Sequence, residues 1–550
     1  MAKDNKYNFS KEEKELSGGS SVIKGAAIIG IAGIVVKILG AIFRIPLSNW
    51  MGDLGMSYYQ VAYNIYLALI VMSTAGFPVA ISKLVSENIA RGHYNNAHKV
   101  FKTAVKIMAV LGGVSAAICF FGAGILARAV GNSEAAGAVR AIAPALLFVP
   151  ILASFRGFFQ GRQNMNPTAI SEIIEQLFRV GFGFALTLLF LSTSLPNAAA
   201  GASFGATAGS LAALAFMFLV YYMHRHVIKR EIDRTDGYLE DTKNIIKKIL
   251  VIAIPIVIGA EIIPLMFSLD MGIVMNRLQD TGWTELESQK LYGLMGAYCN
   301  SLTNMPEFLI QAIAISMVPA ISRASARGNR KDVESSIGIG YRLTTLIAFP
   351  AMVGLMVLAK PIFRLLFPLK VDEAMLAIPT FLVMCISIVP LALYETSTGT
   401  LQAIGKQIVP VKNVAIGAAV KIVFTYILVG IKSINVVGAA MSSIIAFMVA
   451  FVLNELAVKK YTGTKIDFVK TYLKPCVASL IMGAGAYGTH FLLSKFMPNS
   501  LSTALAILAG VIIYIIMVVV IKVATPEDLR ELPKGEKINA LISKFVKWEA

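Results

Sequence analysis

The chain has 550 residues, of which 56% are hydrophobic and only 15% charged, and its mean hydropathy is +0.70. A soluble protein carries about a quarter charged residues, so an ordinary soluble fold is excluded. The net charge of +18 would suit nucleic acid, but its placement in alternate short loops points to a membrane and argues against a nucleic-acid partner.

Met1 to Ser20 are polar and carry Lys3, Lys6, Lys11 and Lys14. They do not read as a signal peptide, because the apolar run after them is long and no small-residue cleavage site follows closely. Apolar runs of spanning length then recur to the end of the chain. They lack the alternation of a β-barrel. The pattern predicts an all-α polytopic membrane protein with about fourteen spans, near 22–46, 57–81, 100–127, 138–156, 168–191, 198–223, 246–268, 289–318, 336–359, 373–398, 409–430, 434–457, 470–494 and 501–522. Loops 82–106, 224–248, 323–331, 459–474 and the tail after Lys522 are basic, whereas 46–57 and 192–197 hold no Lys or Arg. This asymmetry predicts cytoplasmic termini in a bacterial cytoplasmic membrane.

The chain repeats itself. Pro78-Val-Ala-Ile-Ser-Lys83 with Ala90-Arg-Gly92 returns as Pro319-Ala-Ile-Ser-Arg323 with Ala326-Arg-Gly328. Gly157-Phe-Phe-Gln160, Gln163, Pro167 and Arg179 return as Gly399-Thr-Leu-Gln402, Gln407, Pro410 and Lys421, again about 240 residues on. Two ordered matches predict a duplicated six-helix unit whose copies share one orientation, since six is even. The organisation expected is a tail 1–21, an N-lobe 22–223, a linker 224–245, a C-lobe 246–457, an extra helix pair in 458–523 and a tail 524–550. Extending the repeat backwards pairs Lys37 with Glu261, Tyr58 with Tyr298 and Asn64 with Asn304. It predicts that Lys37 and Glu261 oppose each other across a central cleft.

Lys37 lies well inside the first span, and Arg44 two helical turns later on the same side. A cation at that depth costs roughly 3 kcal/mol or more and usually faces a protein interior or a watery cavity. Lys37 is the leading substrate-binding candidate, with a salt bridge to Glu261 as its structural alternative. Arg44 is a second candidate, or a side chain snorkelling to headgroups. Arg179 and Lys421, the repeat equivalents, are suited to phosphate or to pairing with nearby acids, Glu172 or Glu175 for Arg179. Asn64, Ser301 and Asn304 are candidates for sugar hydroxyls, and interhelical bonding is their commoner role. Glu261 and Glu307 are candidate cavity or coupling acids. Arg156, Arg162 and Lys406, at cytoplasmic helix ends, mark topology or serve as gate or headgroup residues. Arg342 reads as interfacial. Prolines 78, 255, 264, 306, 319 and 390 predict kinks.

Cys119, Cys299, Cys385 and Cys476 stand singly and predict no disulfide framework. The five histidines make no metal spacing on one helix face, and no nucleotide loop or nucleophile elbow occurs. Neither metal, cofactor nor enzymatic activity is expected.

Val36-Lys-Ile-Leu-Gly-Ala-Ile-Phe-Arg44 resembles the first-helix motif of the MurJ lipid II flippases. Phe155-Arg-Gly-Phe-Phe-Gln-Gly-Arg-Gln-Asn-Met-Asn-Pro167, with Glu175-Gln176 and Arg179, resembles the stage V sporulation protein B branch of that group, as does Gly76-Phe-Pro-Val-Ala-Ile-Ser-Lys-Leu-Val85. The group belongs to the multidrug/oligosaccharidyl-lipid/polysaccharide exporter (MOP) superfamily. The resemblance covers nearly the whole chain. It implies two six-helix lobes around a cavity, an extra helix pair grooved for a lipid tail, and alternating access that flips a lipid-linked saccharide outward. It thereby implies an undecaprenyl-pyrophosphate-linked substrate, membrane lipids as surroundings and a monomer. One departure stands out: Ser301 and Asn304 occupy positions where those flippases carry an arginine and an acid, and Glu307 follows Pro306. Rival expectations are a drug or cation antiporter of the same superfamily, using Glu261, and a membrane glycosyltransferase, for which Asp53 is the only acid in the first outer loop.

Overall fold

The computed structural model describes residues 20–233, 238–327, 329–464 and 466–523. The C-terminal tail from 524, the N-terminal tail before Ser20 and residues 234–237 of the expected linker lie outside them. Every regular element among the described residues is helical. The longer helices are α1 (Ser20–Thr74), α2 (Phe77–Ala90), α3 (Tyr94–Phe121), α4 (Ala145–Gly161), α5 (Asn166–Leu191), α6 (Leu195–Asp233), α7 (Thr242–Asp280), α8 (Met305–Ala326), α9 (Arg330–Val357), α10 (Ile378–Ala403), α11 (Ile408–Val429), α12 (Val437–Thr462), α13 (Lys474–Leu493) and α14 (Asn499–Val520).

Eleven helices among the described residues are long and apolar enough to cross a membrane. They match eleven of the expected spans; the others are 22–46, 57–81 and 289–318. The first two lie on either side of the kink in α1, which falls within the expected outer loop 46–57. The α1 backbone runs through Pro46 and breaks only at Gly52 (φ 66°, ψ −164°), a conformation glycine adopts without a Cβ clash. The expected eighth span is divided. A helix Glu285–Leu294 leads into a π turn, Met295–Cys299, a short helix Asn300–Thr303 and then α8, with Pro306 in its first turn. Of the expected kink prolines, Pro255, Pro264 and Pro390 lie inside helices, while Pro78 starts α2.

Large apolar side chains stand bare on the outer helix faces, among them Val110, Val114 and Ile118 of α3 and Leu508, Ile512 and Ile516 of α14. Continuous apolar surface of this kind belongs in lipid rather than water.

Contacts divide the chain into two compact units. Among the described residues, one takes those up to Phe43, Val61–Ala129 and Ser133–Pro264; the other takes Arg44–Gln60, Val130–Asn132 and those from Leu265 on. In the first, Phe77, Phe101, Phe155 and Phe158 form a buried core that Ile245, Ile249 and Ala253 of α7 complete. In the second, Tyr298, Phe363, Phe367 and Phe381 stack edge to face or tilted. Segment Arg44–Gln60 is tied into this second unit by polar bonds. The Ser48 hydroxyl donates to Ala297 O (2.8 Å), Asn49 Nδ2 to Leu366 O (2.7 Å), and Asp53 N–H to Glu373 Oε2 (3.1 Å). A Cβ at Gly52 would run into that same Glu373 carboxylate. Lys370 Nζ and the Tyr298 hydroxyl complete the ring of donors around it.

Candidate substrate-handling site

In the first unit, glycines decide where the charges stand. Gly201, Gly205 and Gly209 repeat every four residues along α6, one face of the helix. A Cβ at Gly201 would lie 2.8 Å from the Leu186 backbone and one at Gly205 2.5 Å from Arg179 O, and one at Gly209 would collide with Glu175 O. Small residues let the α5 and α6 backbones touch, which seats the Glu175–Arg179 turn of α5. There Glu175 takes Arg156 Nη2 of α4 on Oε2 (3.0 Å) and Arg179 Nη2 on Oε1 (3.2 Å). Arg156 Nε also donates to Ser171 Oγ (2.9 Å). Buried Tyr66 of α1 hydrogen-bonds Arg179.

Lys37 lies in the same unit. The opening half of α1 runs along α5, with Gly40 opposite Gln176 and Phe43 against Gly183 and Phe184. One turn earlier, Lys37 is half-buried. Asn64 is buried in the same unit. Two cations, Arg156 and Arg179, thus share Glu175. Arg156, expected at a helix end as a gate or topology marker, is instead a partner of Glu175.

Several expectations are corrected. Glu261 lies in the same unit as Lys37, and its buried Oε2 has no hydrogen-bond partner. The first half of α7 packs into the first unit, with Ala253 pressed on Gly76. Lys421 is also not presented to a substrate in this conformation. Its side chain is 1% exposed and its ammonium is 2.6 Å from Asp270 Oδ2. Thr425 donates to Asp270 Oδ1 (2.6 Å) and shares a hydrogen bond with Ser442 (2.7 Å). Asp270 escaped the sequence reading because it lies just past the drawn end of its span. Intramembrane acids beyond Glu261 were the signal available.

The remaining candidates are dispersed. Arg44 opens the segment held by the second unit, and its carbonyl accepts from Ser48. Ser301 is buried with an unpartnered Oγ, while Asn304 is exposed beside the break before α8. Gln311 Nε2 bridges Glu307 (2.9 Å) and Glu395 (3.0 Å). Arg162 is held by both oxygens of Glu231 at 2.9 Å, which explains why α6 continues into the expected linker. Lys406 is exposed and sits 5.0 Å from the Tyr461 ring centre.

A family model described as "Polysaccharide biosynthesis protein" matches residues 22–325, more than half of the chain. The chain belongs to this polysaccharide biosynthesis protein family. A second model, MatE, matches residues 295–427. Among curated relatives, this chain is 26% identical to the lipid II flippase MurJ of Bacillus subtilis (strain 168) over 491 residues, covering 87% of this chain and 90% of that one. It is 26% identical to stage V sporulation protein B of the same organism over 519 residues, covering 93% and 97%. Its fold resembles an inward closed lipid II flippase MurJ (TM-score 0.60, 17% identity, 90% and 98% covered) and an inward-facing MATE family multidrug transporter (TM-score 0.64, 15% identity, 79% and 98% covered). The likeness to these solved structures shows a shared fold.

Proposed function

We propose that this chain is an alternating-access flippase that carries an undecaprenyl-pyrophosphate-linked saccharide, lipid II or a related envelope precursor, from the inner to the outer leaflet of the bacterial cytoplasmic membrane. The observation that carries the reading is the Arg156–Glu175–Arg179 cluster inside a membrane-embedded unit that also holds half-buried Lys37. A pyrophosphate entering a low-dielectric space needs compensating charge. Arg179 offers a planar fork and Lys37 a compact point charge. Both are poor company for cationic cargo. The name of one relative covered over most of its length, a lipid II flippase, supports the same substrate class. In this reading the chain crosses the membrane fourteen times, both termini are cytoplasmic, and two six-helix lobes rock as a monomer while the lipid tail stays in the bilayer.

The deciding experiment is a lipid II accessibility assay on cells depleted of this protein and complemented by variants. Lys37→Ala is expected to leave the precursor in the inner leaflet while the protein still accumulates in the membrane. Lys37→Arg retains part of the activity, because charge outweighs shape at a point contact. Full complementation by Lys37→Ala would remove the proposal's main support.

A further inference from the structure

The second unit holds a cavity of about 470 Å³ lined by Asn329 and Arg330 at the start of α9, Lys406 in the α10–α11 turn, and Lys460, Tyr461 and Gly463 at the end of α12. Three cations line it and no acid does. Among the described residues none of the three forms an ion pair, although Asp332 and Glu334 stand nearby on α9. A cavity of about 460 Å³ in the first unit provides a contrast. Its lysines Lys83, Lys247 and Lys248 share the walls with Glu87 and Glu240, and Lys83–Glu87 (3.9 Å) and Lys248–Glu240 are paired. Topology marking requires cations; it does not require that acids be kept out of one pocket and supplied to the other.

The cations are also positioned. Gly463 ends α12 in the left-handed region (φ 71°), and a Cβ there would strike the Arg330 guanidinium. Only glycine lets Arg330 lie against that turn. Tyr461 gathers the other two: Lys406 Nζ lies 5.0 Å and Lys460 Nζ 5.8 Å from its ring centre. The 28-residue helix α9 begins at the same place, with its positive end toward the cavity.

We propose that this cavity is a binding site for a phosphate-bearing anion, separate from Lys37. Arg330 would take two phosphate oxygens through its fork, and Lys406 and Lys460 would neutralise the remainder. The volume suits a phosphate or pyrophosphate with a small head group. The anion comes either from a lipid headgroup or from a free phosphate compound in solution. The proposal stands independently of the transport reading.

The test uses the full chain in phosphatidylcholine nanodiscs, titrated with inorganic pyrophosphate by calorimetry. A site that persists in the Lys37→Ala variant is expected. Arg330→Gln and the double variant Lys406→Gln/Lys460→Gln should each weaken binding about tenfold or more. Gly463→Ala should weaken it as well by displacing Arg330. Lys83→Gln/Lys247→Gln, in the acid-matched cavity, should leave it unchanged. Absence of binding, or equal loss in the control, would overturn the proposal. Repeating the titration in phosphatidylglycerol nanodiscs separates the sources. A drop in pyrophosphate affinity that disappears in Arg330→Gln but persists in the control assigns the pocket to lipid headgroups. Unchanged affinity assigns it to a soluble anion.

Discussion

Lys421 Nζ stands 2.6 Å from Asp270 Oδ2, with 1% and 6% of the two side chains exposed. Repeat symmetry makes Lys421 the counterpart of Arg179, yet the two are neutralised differently. Arg179 takes Glu175 from its own helix, one turn back, and Lys421 takes Asp270 from α7. The two positions that the sequence repeat aligns both carry a cation and draw their counter-charges from different helices.

Removing one member of such a buried pair strands the other charge. Lys421→Met should therefore destabilise the protein by roughly 3–5 kcal/mol, while Lys421→Met with Asp270→Leu recovers most of the loss. Thermal unfolding in detergent reads both. A single variant as stable as the parent would show that Asp270 finds other compensation.

Glu175 is shared by two arginines on two helices, Arg156 and Arg179. Glu175→Gln should lower stability by a few kcal/mol and Arg156→Gln by less, because Arg156→Gln leaves the Arg179 contact in place. Equal losses from both, measured by unfolding midpoints, would mean that Glu175 is not the common partner.

The spans and the basic loops were legible because apolar runs and Lys/Arg asymmetry are local signals. The continuation of α1 through Pro46 was not. Proline and glycine read as breakers in a sequence, and what holds this segment helical is a set of bonds to Ala297, Leu366 and Glu373. The charge pairs were half legible. Glu175 sits four residues from Arg179, a helical spacing visible in any sequence, whereas Asp270 meets Lys421 only through the packing of α7 on α11.

Burial, then the charge of Glu373, pushes the Asp53 carboxyl up from 3.8 to about 6, against the pull of Leu54 N–H and of Lys290 and Lys370. A carboxyl that holds its proton more tightly when folded stabilises the folded state at low pH. That contribution is complete below the unfolded value of 3.8 and is lost as pH rises through about 6. Asp53→Asn keeps an acceptor for Leu54 N–H and removes the titration. It should equal the parent near the low end of this window and exceed it near neutrality by up to about 3 kcal/mol. A parent protein whose melting temperature is flat across the window would contradict this.

Orientation can be read by cysteine labelling in a background without Cys119, Cys299, Cys385 and Cys476. Ser192→Cys, in a cation-free loop, should react with an impermeant maleimide in intact cells, and Arg230→Cys, near the end of α6, should react only after permeabilisation. The opposite pattern would reverse the direction of transport.

The bonding of Arg44–Gln60 also sets an order of assembly. The Ser48 hydroxyl binds Ala297 O, 249 residues further on, and Asp53 waits 320 residues for Glu373. During synthesis this stretch leaves the ribosome long before anything that can satisfy its Ser48, Asn49 and Asp53 groups. Its flanks, by contrast, find early partners within the first unit. The middle of α1 is therefore seated late, and until then it is an unfinished surface inside an otherwise packed half. A chain severed in the linker would leave the amino-terminal fragment permanently in that condition.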